Sequence, residues 1–157
     1  MTERSVHHAT FSIERTYDHS PARVFGAFAD PAAKRRWFAE GDGWKIEAFD
    51  VDFRVGGFER SRFRFLDGPL VTNDTVYQDI VLNERIIIAY AMTIAEKPIS
   101  CSLATIEFKP QGKGTRLVYT EQGAFLDKLD QVADREHGCG ELLIALEKEL
   151  ARTKASA

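Results

Sequence analysis

Asp134-Arg-Glu-His-Gly-Cys-Gly-Glu-Leu-Leu-Ile-Ala-Leu-Glu-Lys-Glu-Leu-Ala-Arg152 is the stretch on which the fold turns. At 100° per residue, Cys139, Leu142, Leu143, Leu146 and Leu150 share one apolar stripe about 100° wide, the pattern of a helix that faces a core. Glu141, Lys148 and Arg152 lie on the other side. Most helical stability in a protein comes from packing of the apolar face, so this segment predicts a surface to rest on. Gly138 and Gly140 each cost about 1 kcal/mol in a helix relative to Ala. A pair of them suggests close backbone approach, a kink, or space kept open.

The preceding residues supply the surface. Thr10 to Tyr17 alternates, with Phe11, Ile13 and Arg15 against Ser12, Glu14 and Thr16, and reads as a first strand. Ser20-Pro21 and Asp30-Pro31 are successive helix starts, because Ser and Asp oxygens accept orphan amides and Pro is pre-set for the first helical position. Two short helices follow, the second carrying Trp37-Phe38 and ending before Gly41-Asp42-Gly43. Six more strands are predicted over 44–53, 58–66, 71–82, 85–94, 100–109 and 115–122. Turn residues separate them and leave no room for crossover helices, so the sheet is an antiparallel meander. Ile86, Ile88, Tyr90, Met92 and Ile94 alternate with smaller residues, and Ser102, Ala104, Ile106 and Phe108 form a similar set, so one sheet face is apolar. The piece from Phe125 to Ala133 is a loop. Residues 1–9 read as a flexible arm, 10–152 as a single α+β domain, and 153–157 as a frayed end.

Composition narrows the function. A chain of 157 residues suits one domain. Its net charge of −3 and pI near 5.8 favour neither nucleic acid nor an anionic membrane. No apolar run reads as a secretory signal or a membrane span, which predicts a cytoplasmic protein without membrane insertion. Cys101 and Cys139 form no metal-ligand spacing with histidine, and there is no phosphate-cradling loop or nucleophile elbow, so no metal and no cofactor is expected.

Chemistry must then rest on scattered residues. Glu121 shares its strand face with Leu117 and Tyr119. A carboxylate in an apolar interior could serve as a general acid or base; alternatively it binds an arginine, with Arg135 a candidate. His137, at the start of the terminal helix, could relay a proton with Glu121 or Glu136, or could simply bond a loop carbonyl. Cys139 reads as a small buried hydrophobe, although a helix N-terminus could activate it. Arg60, Arg62 and Arg64 recur at period two and mark a solvated outer face. Asp79 is a further acid whose direction the strand register leaves open.

Order and motifs together resemble a known family. Phe11-Ser12-Ile13-Glu14-Arg15, Ser20-Pro21-Ala22-Arg23-Val24-Phe25, Trp37-Phe38, Arg54-Val55-Gly56-Gly57, Tyr77-Gln78-Asp79-Ile80-Val81, Thr115-Arg116-Leu117, Thr120 through Asp127 and Arg135-Glu136-His137-Gly138 are similar to bacterial SRPBCC proteins. Within that START-like and birch-pollen-allergen-like superfamily, they resemble the group named after activators of the ninety-kilodalton heat-shock-protein ATPase. The resemblance implies a helix-grip fold, in which a curved antiparallel sheet of six to seven strands wraps around a long C-terminal helix. It also implies a cavity between that helix and the sheet for a hydrophobic or aromatic small molecule. Trp37, Phe38, Phe63, Tyr77, Tyr90, Met92, Glu121, Phe125, His137, Cys139 and Leu143 would line it, with Tyr77 and Tyr90 orienting the ligand through their hydroxyls. Many relatives carry a Trp where this chain has Cys139, which would leave more room beneath the helix.

Two other functions stay open. One is a cyclase-, aromatase- or hydrolase-like enzyme using Glu121 with His137 or a tyrosine; the other is an interaction module that activates a chaperone ATPase. Homodimerisation through an exposed strand or the helix edge is compatible with the resemblance.

Overall fold

The computed structural model describes residues 3–154. Seven antiparallel strands form one sheet in the order β1-β7-β6-β5-β4-β3-β2. They are β1 (Val6–Tyr17), β2 (Trp44–Val51), β3 (Phe58–Phe65), β4 (Val71–Val81), β5 (Arg85–Ile94), β6 (Lys97–Gln111) and β7 (Gly114–Leu126). Helices α1 (Pro21–Ala29) and α2 (Pro31–Lys34), then a π-helical turn over Arg35–Ala39, connect β1 to β2. The long helix α3 (Val132–Lys154) follows β7. This is the α+β helix-grip architecture, and consecutive strands from β2 to β7 pair with each other as a meander requires.

The helix starts follow from their caps. Ser20 Oγ accepts the amide of Arg23 at 3.2 Å, and Asp30 Oδ1 accepts that of Ala32 at 3.2 Å. Pro21 and Pro31 open the two helices. Phe25 and Phe28 from α1 meet Phe108 edge-on, with centroids 5.4 Å away in each case. Tyr17 is buried at the end of β1 and donates to the Leu143 carbonyl at 2.7 Å, fixing α3 over the sheet. Leu143, Leu146 and Leu150 are buried in the core, with Leu142 partly buried beside it. The predicted stripe therefore faces the sheet.

Several boundaries differ: β6 and β7 run past their predicted ends, so the loop predicted from Phe125 to Ala133 shortens to the residues between Leu126 and Val132, and the largest change is at the N-terminus. β1 starts at Val6 rather than Thr10, and Val6 to Ala9 pair with Leu126 to Gly123, so residues predicted as an arm belong to the sheet. Asp127 secures this extension, accepting the Ser5 amide at 2.9 Å and the Arg4 guanidinium at 2.8 Å, and these contacts lower its pKa. The gain of backbone pairing outweighs a composition too polar to announce a strand. Residues 1–2 of the predicted arm and 155–157 of the predicted frayed end lie outside the described residues. At the other end, α3 extends through Lys154.

Neither glycine of α3 makes a close approach. A Cβ built on Gly138 or Gly140 would meet nothing within 4 Å. Gly138→Ala and Gly140→Ala are each expected to stabilise by about 1 kcal/mol, which thermal denaturation should register as about 2–4 °C per substitution. A lowered midpoint for either would show that the glycine serves a contact other than those described.

Candidate functional site

The inner face of the sheet carries two buried polar clusters, one beneath the start of α3 and one beneath α2 and the π-helical turn.

The first surrounds Glu121, which is 0% exposed. Its Oε1 accepts from Tyr119 Oη at 2.6 Å and its Oε2 from Ser102 Oγ at 2.8 Å. Tyr90 Oη lies 2.7 Å from both oxygens, and Arg135 Nη1 reaches Oε2 at 3.2 Å. Cys139 Sγ completes the shell 3.8 Å from Oε1. A carboxylate offers about four lone-pair positions, so this one is saturated with donors. Arg135 is equally committed, donating to Tyr90 Oη at 3.0 Å, Ser100 Oγ at 2.8 Å and Asp130 Oδ2 at 2.6 Å. Its guanidinium also lies 5.3 Å from the Phe125 ring centroid. Burial opposes its charge, but Tyr90, Glu121 and Asp130 together raise its pKa.

The local sequence explains why the cluster closes. β7 alternation places Leu117, Tyr119, Glu121 and Phe125 on one face, and the glycine at 123 lets the Phe125 ring and Ser102 fold in. A Cβ there would lie 2.8 Å from Phe125 Cε2 and 2.9 Å from Ser102 Oγ. Burial, then the charge of Glu121, pushes the Tyr90 hydroxyl well above its ordinary range. Tyr119 is raised too, by burial first. Both phenols therefore remain proton donors to the carboxylate.

Cys139 belongs to this cluster as a buried thiol. Burial first, and then Glu121, pushes its pKa up to about 12. The room that a small residue was expected to leave under α3 is taken by Tyr119 and Glu121. In the folded protein, a disulfide reagent at pH 8 should titrate the exposed Cys101 promptly and Cys139 only after denaturation. Two fast-reacting thiols would refute the assignment.

The expected pairing of Glu121 with His137 is not formed. The His137 side chain is 78% exposed and points along α3 to Glu141, 3.8 Å away. The heptad position that puts Cys139 inward turns His137, two residues earlier, outward. Asp79 also faces out, bound to Arg85 at 2.6 Å. Phe63 lies toward the sheet's far edge, stacked edge-on against Trp44 with centroids 5.0 Å apart. Met92 is half-buried, whereas Tyr90, Phe125 and Leu143 are buried.

The second cluster centres on Glu59, 3% exposed. Its Oε1 accepts from Lys34 Nζ at 3.0 Å and from Tyr77 Oη at 2.9 Å. Burial first, then Glu59, raises the Tyr77 pKa. The Lys34 ammonium lies 4.7 Å from the Phe38 ring centroid and 5.6 Å from that of Trp37, so aromatic faces shield its other side. Trp37 is held by its indole N–H to the Ala27 carbonyl at 2.9 Å. Across the β3–β4 ladder, Glu59 pairs with Thr75 and Ser61 with Asn73. Thr75 Oγ1 donates to Asn73 Oδ1 at 3.3 Å. Ser61 Oγ is buried without a hydrogen-bond partner among the described residues. Beside these groups is a partly open space of about 10 Å³ lined by Phe28, Lys34, Phe53, Thr75, Tyr77, Ile86, Ile88 and Ile106.

Of this second cluster, Tyr77, Trp37 and Phe38 are among the residues expected from sequence to line a site, whereas Lys34, Glu59, Ser61, Asn73 and Thr75 are not. The signal was present. If Arg60, Arg62 and Arg64 mark the outer face of β3, then Glu59, Ser61 and Phe63 must point inward. The arginines do face out, Arg62 pairing with Asp74 at 2.8 Å and Arg64 with Glu47 at 2.9 Å.

A family profile described as activator of Hsp90 ATPase homolog 1-like protein matches residues 18–151. The chain belongs to this family. All the named members of both polar clusters lie within the matched residues. A protein from Rhizobium loti of known structure is 54% identical over 92% of this chain and 99% of its own, with a TM-score of 0.86. One from Rhizobium leguminosarum is 44% identical over 96% and 99%, with a TM-score of 0.92. A Chromobacterium violaceum protein, 24% identical over 90% and 96% with a TM-score of 0.76, shares the fold. None of the curated proteins matches the chain. The SRPBCC-type fold of this activator-homologue family is consistent with a ligand-binding domain. Among the described residues no helix is long and apolar enough to cross a membrane, and no group of three or more His, Cys, Asp or Glu could hold a metal ion.

Proposed function

We propose that the protein binds a small, mainly apolar molecule between the sheet and its helical cover, at the end marked by Lys34 and Tyr77. The small space among Phe28, Phe53, Ile86, Ile88 and Ile106, with Lys34, Thr75 and Tyr77 on its polar side, is the observation that carries this reading. An apolar chamber with few convergent polar groups is the usual make-up of a small-molecule site. At about 10 Å³ it holds about one water, so the cover must move to admit a ligand.

The cover is suited to that. It consists of a four-residue helix and a five-residue π-helical turn, neither long enough to be stable by itself. Such π-helical turns recur at functional sites. An ion pair between Arg36 on the turn and the buried Glu149 of α3 fastens it. The cluster at Glu121 supports an enzymatic reading less well, because its carboxylate is saturated and His137 is turned away.

The test is a native mass-spectrometry and thermal-shift panel of lipids, aromatics and polyketides. A binder present at about 100 times its Kd should add about 2.7 kcal/mol of stability, and Ile88→Phe, which fills the chamber, should abolish the gain. A panel with no binder, or binding indifferent to Ile88→Phe, overturns the reading.

A further inference from the structure

We infer that the ligand of this chamber is uncharged and carries a hydroxyl group on an apolar body, as an alcohol or a phenol does; this rests on the binding reading above.

The hydrogen-bonding capacity left over at the polar wall specifies the group. Thr75 gives its proton to Asn73 and Tyr77 gives its proton to Glu59, so each hydroxyl oxygen retains lone pairs as an acceptor. Lys34 spends one N–H on Glu59 Oε1 and turns its other side to the Phe38 and Trp37 rings, which leaves one N–H as a donor where it lines the chamber. A ligand hydroxyl that accepts from Lys34 Nζ and donates to Thr75 Oγ1 or Tyr77 Oη uses both kinds. Next along the same strand faces, the buried Ser61 hydroxyl is unpartnered. Natural interiors seldom leave such groups unused.

Charge balance excludes the ionic alternatives. The buried ammonium of Lys34 is already neutralised by Glu59, 3.0 Å away. A ligand carboxylate would add a second anion beside Glu59, and a ligand ammonium a second cation beside Lys34, each desolvated without a counter-charge. The remaining wall, Phe28, Phe53 and the three isoleucines, offers dispersion and apolar burial only.

Four ring compounds of similar size separate these possibilities by calorimetric titration of the full chain at pH 7: p-cresol, toluene, benzoate and benzylamine. p-Cresol should bind at least tenfold more tightly than each of the others. Thr75→Val and Tyr77→Phe should each bring its affinity toward that of toluene, with the fold checked by circular dichroism. Toluene binding as tightly as p-cresol, or either ion binding more tightly, overturns the inference and leaves the binding reading standing. If none of the four binds while members of the broader panel do, the inference also fails alone. If nothing binds in either experiment, the binding reading itself fails.

Discussion

Arg135→Leu is expected to destabilise the protein by about 3–5 kcal/mol, because it strands the Glu121 carboxylate in the core without its counter-charge. Glu121 is 0% exposed, and Arg135 contributes its only cationic contact among the ion pairs described. The same substitution frees Ser100, Tyr90 and Asp130 from the guanidinium, loosening the loop before α3 from strands β5 and β6. In a thermal melt the loss corresponds to a fall of about 6–20 °C for a chain of this size. Adding Glu121→Gln should restore part of it, since an amide costs less to bury than an unpaired carboxylate and its oxygen still accepts from the tyrosines. The double variant should therefore be more stable than Arg135→Leu alone, and the two changes should fail to add. A loss under about 1 kcal/mol for the single variant, or simple additivity, would mean that the cluster is not the structural node described.

Leu146→Ala should cost about 2–5 kcal/mol. Leu146 is fully buried in the middle of α3, in the same core cluster as Val24, Leu117 and Leu143. That cluster draws on several strands as well as α1, and α3 is tied to β1 by the Tyr17 bond to the Leu143 carbonyl, so the core cannot collapse freely into the vacated volume. Urea denaturation should show a lower midpoint with an unchanged slope. A cost below about 1 kcal/mol would show that α3 rests on the sheet loosely enough to repack.

These two sites have different standing in the sequence. Leu146 was legible from periodicity alone: a stripe at helical spacing has to be buried, and its place in the core follows from the meander that precedes it. The partnership of Glu121 with Arg135 was legible as one of two readings, since alternation along β7 turned Glu121 inward. Its saturation was not. That depends on Tyr90, Ser102 and Cys139 arriving from β5, β6 and α3, which adjoin only after the strands find their register. His137 failed as a partner for a related reason. A place at the start of the terminal helix suggests nearness to the site, but on a helix the two-residue offset from Cys139 turns the side chain the other way.

The Lys34 and Glu59 cluster lay further from view. Strand alternation turned Glu59 and Ser61 inward, but an acidic and a hydroxyl residue on a strand with three outward arginines reads as part of a solvated surface until the opposing elements are placed. Lys34 sits in a helix of one turn whose position is set by packing of Phe28, Trp37 and Phe38 rather than by propensity.

The sequence by itself determined the α+β class, the meander and the apolar face of the terminal helix, because these follow from periodicities of 2 and 3.6 residues and from local turn and cap chemistry. Only the tertiary structure decided which buried charges meet, that the Glu121 cluster is filled, and that a small space lies beside Lys34 and Tyr77. Those outcomes depend on contacts between residues far apart in the chain, where a single step of strand register or helix rotation sends a side chain to the opposite face.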